Sequence, residues 1–422
     1  MTRDTAALAC FAADPTRAYG AVRAASEALA EPLSAEDAAG QSMEDASPAK
    51  WHLAHTTWFF ETFVLEGRPG HRSFDPSFRV LFNSYYNTVG EQHPRPRRGL
   101  LTRPSLDEIR SYRAHVDERM QAQLAAGLSP EALAVVELGL HHEQQHQELL
   151  LTDLKHLFSC NPLHPAYLEL ERPAADPAKV IQWHSWSGGE RWIGHEGEGF
   201  AFDNEGPRHR VWLEAFELAS RPVTNGEYLA FMEDGGYERP ELWLADGWAA
   251  VQGEEWNAPL YWEDRDGEWW TLTLGGPEPV RAEDPVTHVS LYEADAYATW
   301  ACARLPSEQE WECATWSLPI EGSFVESGML HPGPAIRTTD DHPVQLYGDV
   351  WEWTRSSYSP YPRFQPPEGA IGEYNGKFMS NQNVLRGGSC ATPLSHIRPS
   401  YRNFFYPHQR WQFTGIRLAR DL

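Results

Sequence analysis

The chain has 422 residues and a formal net charge of −25, because 60 Asp and Glu outnumber 35 Lys and Arg. The length predicts roughly two or three domains, and the acidic balance argues against a nucleic-acid partner, since phosphate binding needs a positive surface. No segment approaches the roughly 20 apolar residues that a membrane span requires. The first residues lack the apolar stretch of a secretory signal, so none is expected.

Four helical segments are predicted in the first part of the chain. Residues 7–29 are rich in Ala with few helix breakers, and aromatic and apolar positions recur at helical spacing over 51–65. The segment 105–124 opens with a Ser followed three positions later by a Glu, which is a capping-box signature. A Ser-Pro pair opens 129–158, and Pro at the first helical turn loses no hydrogen bond. Four such helices predict a bundle whose inward side chains can form a site.

The composition changes after this helical part. Residues 166–180 lie in a Pro-rich stretch that we interpret as a linker between a bundle over 1–165 and a second domain over 181–422. In the second domain, Gly and Trp are dense and short apolar runs are bounded by turn residues. The predicted fold class is therefore α+β, a four-helix bundle followed by a loop-rich domain of strands and a few helices.

The cysteines fit neither a disulfide framework nor a paired metal knuckle. This usage predicts a reducing environment and a cytoplasmic protein. The five cysteines are Cys10, Cys160, Cys302, Cys313 and Cys390.

The most specific motif lies in the fourth predicted helix. His142 and His146 are four residues apart, so their imidazoles share one helix face and can bind one divalent metal ion. A third ligand can come from the second predicted helix, which offers His52 and His55. Only one of these two can face the pair, because three residues span about 300° of helix, and the aromatic stripe of that helix favours His55. Three neutral histidines without a carboxylate suit Fe(II), Zn(II) or Cu.

The same helix also satisfies the short HExxH pattern of zinc hydrolases. In that hypothesis Glu143 would be the general base. The longer metzincin pattern fails, because Leu149 and Thr152 stand where its Gly and third His would be. Glu148 has two open interpretations: it orients a metal-bound histidine, or it is a solvated charge on the helix surface.

At these positions the sequence resembles the ergothioneine-type sulfoxide synthases. His142, His146 and Glu148 match the HxxxHxE iron motif that this family carries in a DinB-like four-helix bundle, and 47–55 resembles the segment that supplies its third ligand, here His55. The second domain resembles the formylglycine-generating-enzyme-like domain, of C-type-lectin-like fold, that usually accompanies this bundle. The stretches that carry this second resemblance are 202–209, 221–228, 304–311, 348–353 and 386–389.

The resemblance implies a particular reaction. The family forms a carbon–sulfur bond at C2 of the imidazole of hercynine (Nα-trimethylhistidine), using Fe(II) as cofactor and O2 and a thiol as co-substrates, and gives a sulfoxide. Three histidine ligands leave positions on the iron for substrates, and coordination lowers the pKa of a thiol. The implied partners are small molecules only, with no nucleic acid and no membrane.

The resemblance also implies a proton donor. Tyr85 and Tyr86 match a tyrosine pair that flanks the metal in one branch of the family, although two half-buried aromatics would give the same pattern. Another branch has its catalytic tyrosine ahead of the Arg-Gly-Gly-Ser motif, where this chain has Tyr374. We assign the role to Tyr85 and Tyr86.

Two further matches concern substrate binding by the bundle. Arg95 and Arg98 match the family's clamp for the carboxylate of the thiol, and a guanidinium can bind a carboxylate through two hydrogen bonds. A solvated basic loop is the alternative. Gln145 matches the residue that hydrogen-bonds the hercynine imidazole, with a surface amide as the alternative.

A third match concerns the trimethylammonium group. Asn403, Phe404 and Phe405 match the family's segment for that group, with ordinary core aromatics as the alternative. Branches that use γ-glutamylcysteine have an Asp at the position of Phe405, so cysteine or another small thiol is the predicted donor. The alternative is a selenoneine synthase, which joins hercynine to a selenosugar with the same site.

Three hypotheses from other classes stay open. A formylglycine-generating oxidase would need a cysteine pair for copper, and Cys390 has no partner at matching spacing. A zinc hydrolase would need a further ligand downstream of the HExxH string. A non-catalytic binding module would leave the histidines, tyrosines and arginines without chemistry to perform.

Overall fold

The structure is a computed structural model that describes residues 11–172, 178–335 and 342–422. Cys10 and the start of the first predicted helix, at 7–10, lie outside the described residues. The chain forms two compact units. The first contains the N-terminal part to Leu168 together with Pro367–Tyr374 and Thr392–His396, and the second contains the remainder. Within the described ranges, no helix combines the length and apolar character needed to cross a membrane.

The first unit is helical. Its four long helices match the four predicted segments, and a single helical turn is added between the second and third of them. The helices are α1 (Pro15–Ala30), α2 (Ala49–Phe60), the short α3 (Phe78–Leu81), α4 (Leu106–Ala126) and α5 (Pro130–Ser159). A π-helical turn, Glu61–Leu65, continues α2.

Local sequence signals account for the helix ends. The hydroxyl of Ser105 accepts a hydrogen bond from the backbone N–H of Glu108 (3.3 Å), and the Glu108 carboxylate accepts one from the N–H of Ser105 (2.7 Å). This is the predicted capping box of α4. At α5, Ser129 accepts from the N–H of Ala132 (3.3 Å), and Pro130 occupies the first helical position.

Helices α2 and α5 approach each other closely. Every residue of α2 is buried. On α5, Gly139 faces two aromatic rings of α2, and a Cβ at this position would lie 2.6 Å from Phe60 and 2.8 Å from Phe59. Because a side chain there would push the helices apart, Gly139 sets the helix separation one turn before His142.

Two later segments of the chain belong to the first unit. The carboxylate of Glu373 accepts hydrogen bonds from the backbone N–H groups of Asn87 (3.0 Å) and Thr88 (2.9 Å). The hydroxyl of Thr392 donates to Glu148 (2.7 Å), which is buried. Glu148 is therefore not a solvated surface charge; it binds α5 to the segment Thr392–His396. Contacts between residues so distant in sequence cannot be predicted from helical periodicity.

The second unit mixes strands and helices, which confirms the predicted α+β class. Its helices are α6 (Asn225–Glu233), α7 (Ala245–Gly253), α8 (Leu291–Trp300) and α9 (Glu308–Thr315). Its strands are β1 (Trp183–Trp186), β2 (Gly189–Ile193), β3 (His209–Leu213), β4 (Phe216–Ala219), β5 (Trp262–Arg265), β6 (Glu268–Thr273), β7 (Gly276–Pro279), β8 (Trp351–Ser357), β9 (Asn383–Arg386), β10 (Asn403–Phe405), β11 (Thr414–Gly415) and β12 (Ala419–Asp421).

Small sheets organise this unit. In the described ranges their strand orders are β1-β4-β12, β10-β9-β8-β11, β2-β3 and β5-β6-β7. Neighbouring strands run antiparallel except β11, which pairs with β8 in parallel.

The Arg-Gly-Gly-Ser motif has a structural role in this unit. The buried guanidinium of Arg386 donates to the carboxylates of Glu308 (2.8 Å) and Glu312 (3.0 Å). Gly387 has φ +102°, and a Cβ there would lie 2.5 Å from the carbonyl oxygen of Leu346. The motif therefore anchors β9 to α9 in the core.

Candidate metal centre

Three imidazoles of the first unit converge. His55 comes from α2, and His142 and His146 come from α5; each offers a ring nitrogen, and these three nitrogens lie within 4.8 Å of one another. His55 and His142 are fully buried, and His146 is half-buried. The spacing of the two histidines on α5 predicted their pairing, and the aromatic stripe of α2 predicted which histidine faces them.

Aromatic packing orients His55. Its ring stacks on Trp51 (centroids 4.6 Å apart) and on Trp58 (5.6 Å). Its Nδ1 lies 2.6 Å from the carbonyl oxygen of Phe82, so Nδ1 carries the proton and donates it. The lone pair is then on Nε2, which lies 3.2 Å from Nε2 of His142.

The cluster is neutral at physiological pH. Burial lowers the pKa of His142 to about 3. Burial, and then the proximity of His142, lower the pKa values of His55 and His146 well below the ordinary value. Neutral imidazoles expose the lone pairs that a metal ion requires.

The spacing of His55 and His142 fits a divalent metal ion. Two nitrogens bound at about 2.1 Å to one ion lie roughly 3.0 to 3.4 Å apart at octahedral to tetrahedral angles. The 3.2 Å between Nε2 of His55 and Nε2 of His142 falls in this range. Three neutral histidines are a ligand set for Fe(II), Zn(II) or Cu.

His52, the alternative candidate for the third ligand, is not part of the cluster of three imidazoles. Its Nδ1 lies 2.8 Å from Nδ1 of His146, and its Nε2 lies 3.1 Å from a carboxylate oxygen of Asp153. Both ring nitrogens of His52 are therefore occupied, and it contacts the cluster through His146.

Glu143, the general base of the zinc-hydrolase hypothesis, is held on another face of α5. Its carboxylate accepts hydrogen bonds from Arg23 (2.8 Å), Ser26 (2.6 Å) and Arg113 (3.0 Å). Burial alone would raise the pKa of Glu143, but the two guanidinium groups and the hydroxyl more than compensate and hold it below the ordinary value. A carboxylate engaged by two buried cations is a structural anion, so this arrangement argues against the hydrolase hypothesis.

A tyrosine from the later part of the chain lies beside the cluster. The hydroxyl of Tyr374 donates a hydrogen bond to the side-chain oxygen of Gln145, and the ring centroid lies 5.7 Å from that of His142. Tyr374 is buried. The sequence analysis assigned proton donation to Tyr85 and Tyr86 rather than to Tyr374, because the distance in sequence between Tyr374 and α5 conceals this proximity. The signal that could have found it is its position ahead of the Arg-Gly-Gly-Ser motif.

The predicted tyrosine pair lies next to Tyr374. The rings of Tyr85 and Tyr86 stack with centroids 4.7 Å apart, and Tyr85 lies 6.4 Å from Tyr374. Tyr86 packs against Trp58 (5.6 Å), which itself stacks on His55. Burial, followed by the proximity of Tyr85, raises the pKa of Tyr86 well above its ordinary value, so this phenol keeps its proton.

The two arginines predicted to bind the carboxylate of the thiol differ in their burial. Arg95 is exposed and donates to the carbonyl oxygen of Asp45. Arg98 is buried, and its guanidinium carbon lies 3.3 Å from the ring centroid of Trp51, the indole that stacks on His55.

The hydrogen-bond partners of Arg98 are neutral. Its guanidinium donates to the hydroxyls of Ser47 (2.8 Å) and Ser84 (3.0 Å). In the described parts of the chain no carboxylate is among the hydrogen-bond partners of Arg98, and its Nε has no partner. Burial, and then Arg95, lower the pKa of Arg98 well below its ordinary value. A buried cation without a counter-ion favours the binding of an anionic group.

The residues predicted to hold the trimethylammonium group lie in the second unit. Asn403, Phe404 and Phe405 form β10 and are half-buried. The ring of Phe404 stacks on Tyr358 with centroids 4.0 Å apart. Their role in substrate binding stays a prediction.

Two family models match the chain. Residues 18–150 match the DinB superfamily, and residues 172–324 and 342–422 match the sulfatase-modifying factor enzyme 1-like domain. A helical bundle with a three-histidine cluster, joined to a domain of this second kind, defines the class of protein.

Curated relatives narrow the class. The chain is 35% identical over 399 residues to a hercynine oxygenase of Mycobacterium tuberculosis, which covers 89% of this chain and 91% of the relative. It is 33% identical over 405 residues to a hercynine oxygenase of Mycolicibacterium smegmatis, with the same coverage. A formylglycine-generating enzyme of Streptomyces coelicolor matches 61% of the chain and 95% of its own length at 30% identity. The chain belongs to the hercynine oxygenase family, which confirms the predicted resemblance.

Proposed function

We propose that this protein is an Fe(II)- and O2-dependent oxygenase that joins hercynine to a small thiol and gives a sulfoxide. The observation that carries the proposal is the cluster of three neutral imidazoles, two of them buried and one half-buried, in a chain of the hercynine oxygenase family. In the proposed reaction, C2 of hercynine loses a hydrogen and the thiol loses its proton as the carbon–sulfur bond forms. One oxygen atom of O2 enters the sulfoxide and the other leaves as water, so all four electrons are balanced.

His55, His142 and His146 are the proposed iron ligands. A bound Fe(II) ion would supply the redox chemistry with O2 and lower the pKa of a coordinated thiol. The protein holds the three imidazoles neutral and fixes His55 between two indole rings, so this ligand is oriented before the metal binds.

Arg98 is the proposed anchor for the carboxylate of the donor. Its buried guanidinium lies on the indole that stacks on His55 and has only hydroxyl partners among the described residues. A carboxylate bound there would place the thiol of a small amino acid near the cluster. Arg95 is proposed as a weaker contact of the same carboxylate, because it is exposed and already donates to a backbone carbonyl.

Gln145 and a nearby phenol are the proposed contacts for the hercynine imidazole. Gln145 lies one residue before the ligand His146, and its side chain accepts the hydrogen bond of Tyr374. We assign proton donation to the group of Tyr374, Tyr85 and Tyr86, with Tyr374 best placed because its ring lies beside His142. Asn403, Phe404 and Phe405 remain the proposed contacts of the trimethylammonium group.

The alternative donor is a selenosugar, and the same imidazole cluster would serve it. A sugar donor has no carboxylate for Arg98, so the unpaired guanidinium favours a thiol with an acidic group. The described cysteines, Cys160, Cys302, Cys313 and Cys390, form no disulfide. This agrees with the proposed cytoplasmic location, where thiol donors stay reduced.

The test is reconstitution with Fe(II) without oxygen, followed by aerobic incubation of hercynine with one donor at a time. The donors are cysteine, γ-glutamylcysteine, a 1-thio-sugar and a 1-seleno-sugar, and mass spectrometry identifies the products. We expect a sulfoxide with cysteine and no product from a His142→Ala control. A product with the seleno-sugar alone would establish the alternative, and an iron-loaded protein that consumes hercynine with none of the four donors would contradict the proposal.

A further inference from the structure

The three clustered imidazoles have different partners on their outer nitrogens. Nδ1 of His55 donates to a backbone carbonyl at 2.6 Å. Nδ1 of His142 has no hydrogen-bond partner among the described residues. Nδ1 of His146 lies 2.8 Å from Nδ1 of His52. The partner of His146, which is His52, itself contacts a charged side chain.

The charged group that His52 contacts is the buried carboxylate of Asp153. Nε2 of His52 lies 3.1 Å from Oδ2 of Asp153, and the side chains of both residues are buried. Asp153 is seven residues after His146 on α5, which places the two on the same helix face. The same oxygen of Asp153 accepts the backbone N–H of Ser47 (2.8 Å), so the carboxylate is fixed at the start of α2.

The protonation states along this chain of contacts follow from the chemistry of imidazole. A neutral imidazole that gives its Nε2 lone pair to a metal carries its proton on Nδ1 and must donate it. His52 must then accept that proton at Nδ1, so its own proton is on Nε2. That N–H points at the Asp153 carboxylate, which can only accept. All three groups are satisfied by this one arrangement.

We infer that His52 and Asp153 are positioning residues that fix the tautomer and the orientation of His146 as a metal ligand. The inference rests on the proposed metal site. A carboxylate that acts through a second imidazole also makes His146 a more basic ligand, and it brings a negative charge towards a site whose three direct ligands are neutral. His52 thus belongs to the site without touching the metal or the substrates.

The test is titration of the metal-free protein with Co(II), whose visible absorption reports imidazole ligation. Loss of an outer partner of a ligating histidine typically costs 10- to 100-fold in metal affinity. We expect His52→Phe to weaken Co(II) binding by about this factor. His52→Asn should recover most of the affinity, because its amide oxygen can accept the proton of His146 in place of Nδ1.

His141→Phe is the matched control. His141 is on α5, next to the ligand His142, and is as buried as His52; its Nδ1 lies 3.0 Å from Nδ1 of His396, so the variant also removes a buried contact between two imidazoles. We expect it to bind Co(II) like the wild type. Equal losses in His141→Phe and His52→Phe would overturn the inference. Wild-type affinity in His52→Phe would overturn it while leaving the metal site intact, whereas a wild-type protein that does not bind Co(II) would refute the site itself.

A second measurement uses the unmutated protein. Nitrogen-15 NMR of histidine-labelled, Zn(II)-loaded protein distinguishes the two imidazole tautomers. We expect the proton of His146 on Nδ1 and that of His52 on Nε2. A proton on Nδ1 of His52 would overturn the inference, because His146 would then have no acceptor.

Discussion

Acidification of the metal-free protein tests the neutral histidine cluster quantitatively. Burial lowers the pKa of His142 to about 3 in the folded chain, against an ordinary value of 6.5. As the pH falls below 6.5, the unfolded chain takes up a proton at this position and the folded chain does not, so the free energy of unfolding decreases. At higher pH both states are neutral and the contribution vanishes.

The size of the loss follows from the two pKa values. At about pH 5, proton uptake by the unfolded chain lowers the free energy of unfolding by about 2 kcal/mol for His142 alone. Burial shifts the pKa values of His55 and His146 in the same direction, so the three histidines together contribute between about 2 and about 6 kcal/mol. Burial raises the pKa of Asp349 to about 6, so this carboxyl takes up a proton in the folded chain first and offsets part of the loss; its contribution is common to the wild type and the histidine variants and cancels when they are compared.

The assay is urea denaturation of chelator-treated protein from about pH 7.5 to about pH 5, followed by the circular dichroism of the helices. We expect His142→Asn to lose about 2 kcal/mol less than the wild type across this range, because the removed imidazole can no longer be protonated in the unfolded chain. His408→Asn, which replaces an exposed histidine, should follow the wild type. Equal losses in the wild type and in His142→Asn would refute the argument.

Four further substitutions separate the roles of individual groups. Arg98→Met should raise the KM for cysteine about 10- to 100-fold, as expected for a lost charge-assisted hydrogen bond, and leave the iron content unchanged; an unaltered KM would contradict carboxylate binding. Tyr374→Phe should lower sulfoxide formation about 100-fold or more and divert turnover towards thiol oxidation. The same result in Tyr86→Phe alone would move the proton donor to that residue. Glu143→Gln should destabilise the protein by about 3 kcal/mol in urea denaturation, because it removes the buried carboxylate that Arg23 and Arg113 share and leaves them only the more exposed Asp117 and Glu27; a stable protein would contradict the structural role. Gly139→Ala should weaken Co(II) binding despite the better helix propensity of Ala, and unchanged affinity would show that the helix separation does not position the ligands.

The helices of the first unit could be predicted from the sequence because their determinants are local. The capping box at Ser105 and the proline at position 130 depend on residues within one turn, and both are present. The spacing of His142 and His146 likewise fixes a shared helix face. Choosing His55 over His52 needed one more observation, the aromatic stripe that becomes the stack on Trp51 and Trp58.

Other features depend on contacts that no local pattern encodes. Tyr374 reaches Gln145 across 229 residues of sequence, and Thr392 reaches Glu148 across 244. The first unit takes in two later segments of the chain, and local composition carries no signal for such distant segments. The unpaired state of Arg98 also lies beyond sequence, because it depends on where every carboxylate of the fold is placed.

The iron content of single histidine variants tests the central claim most directly. Each protein is reconstituted with Fe(II) without oxygen, desalted, and measured by elemental analysis. We predict about one iron per wild-type chain and a loss of about tenfold or more in His55→Ala, His142→Ala and His146→Ala. Full iron occupancy in His55→Ala, the ligand supplied by the other helix, would contradict the proposed centre.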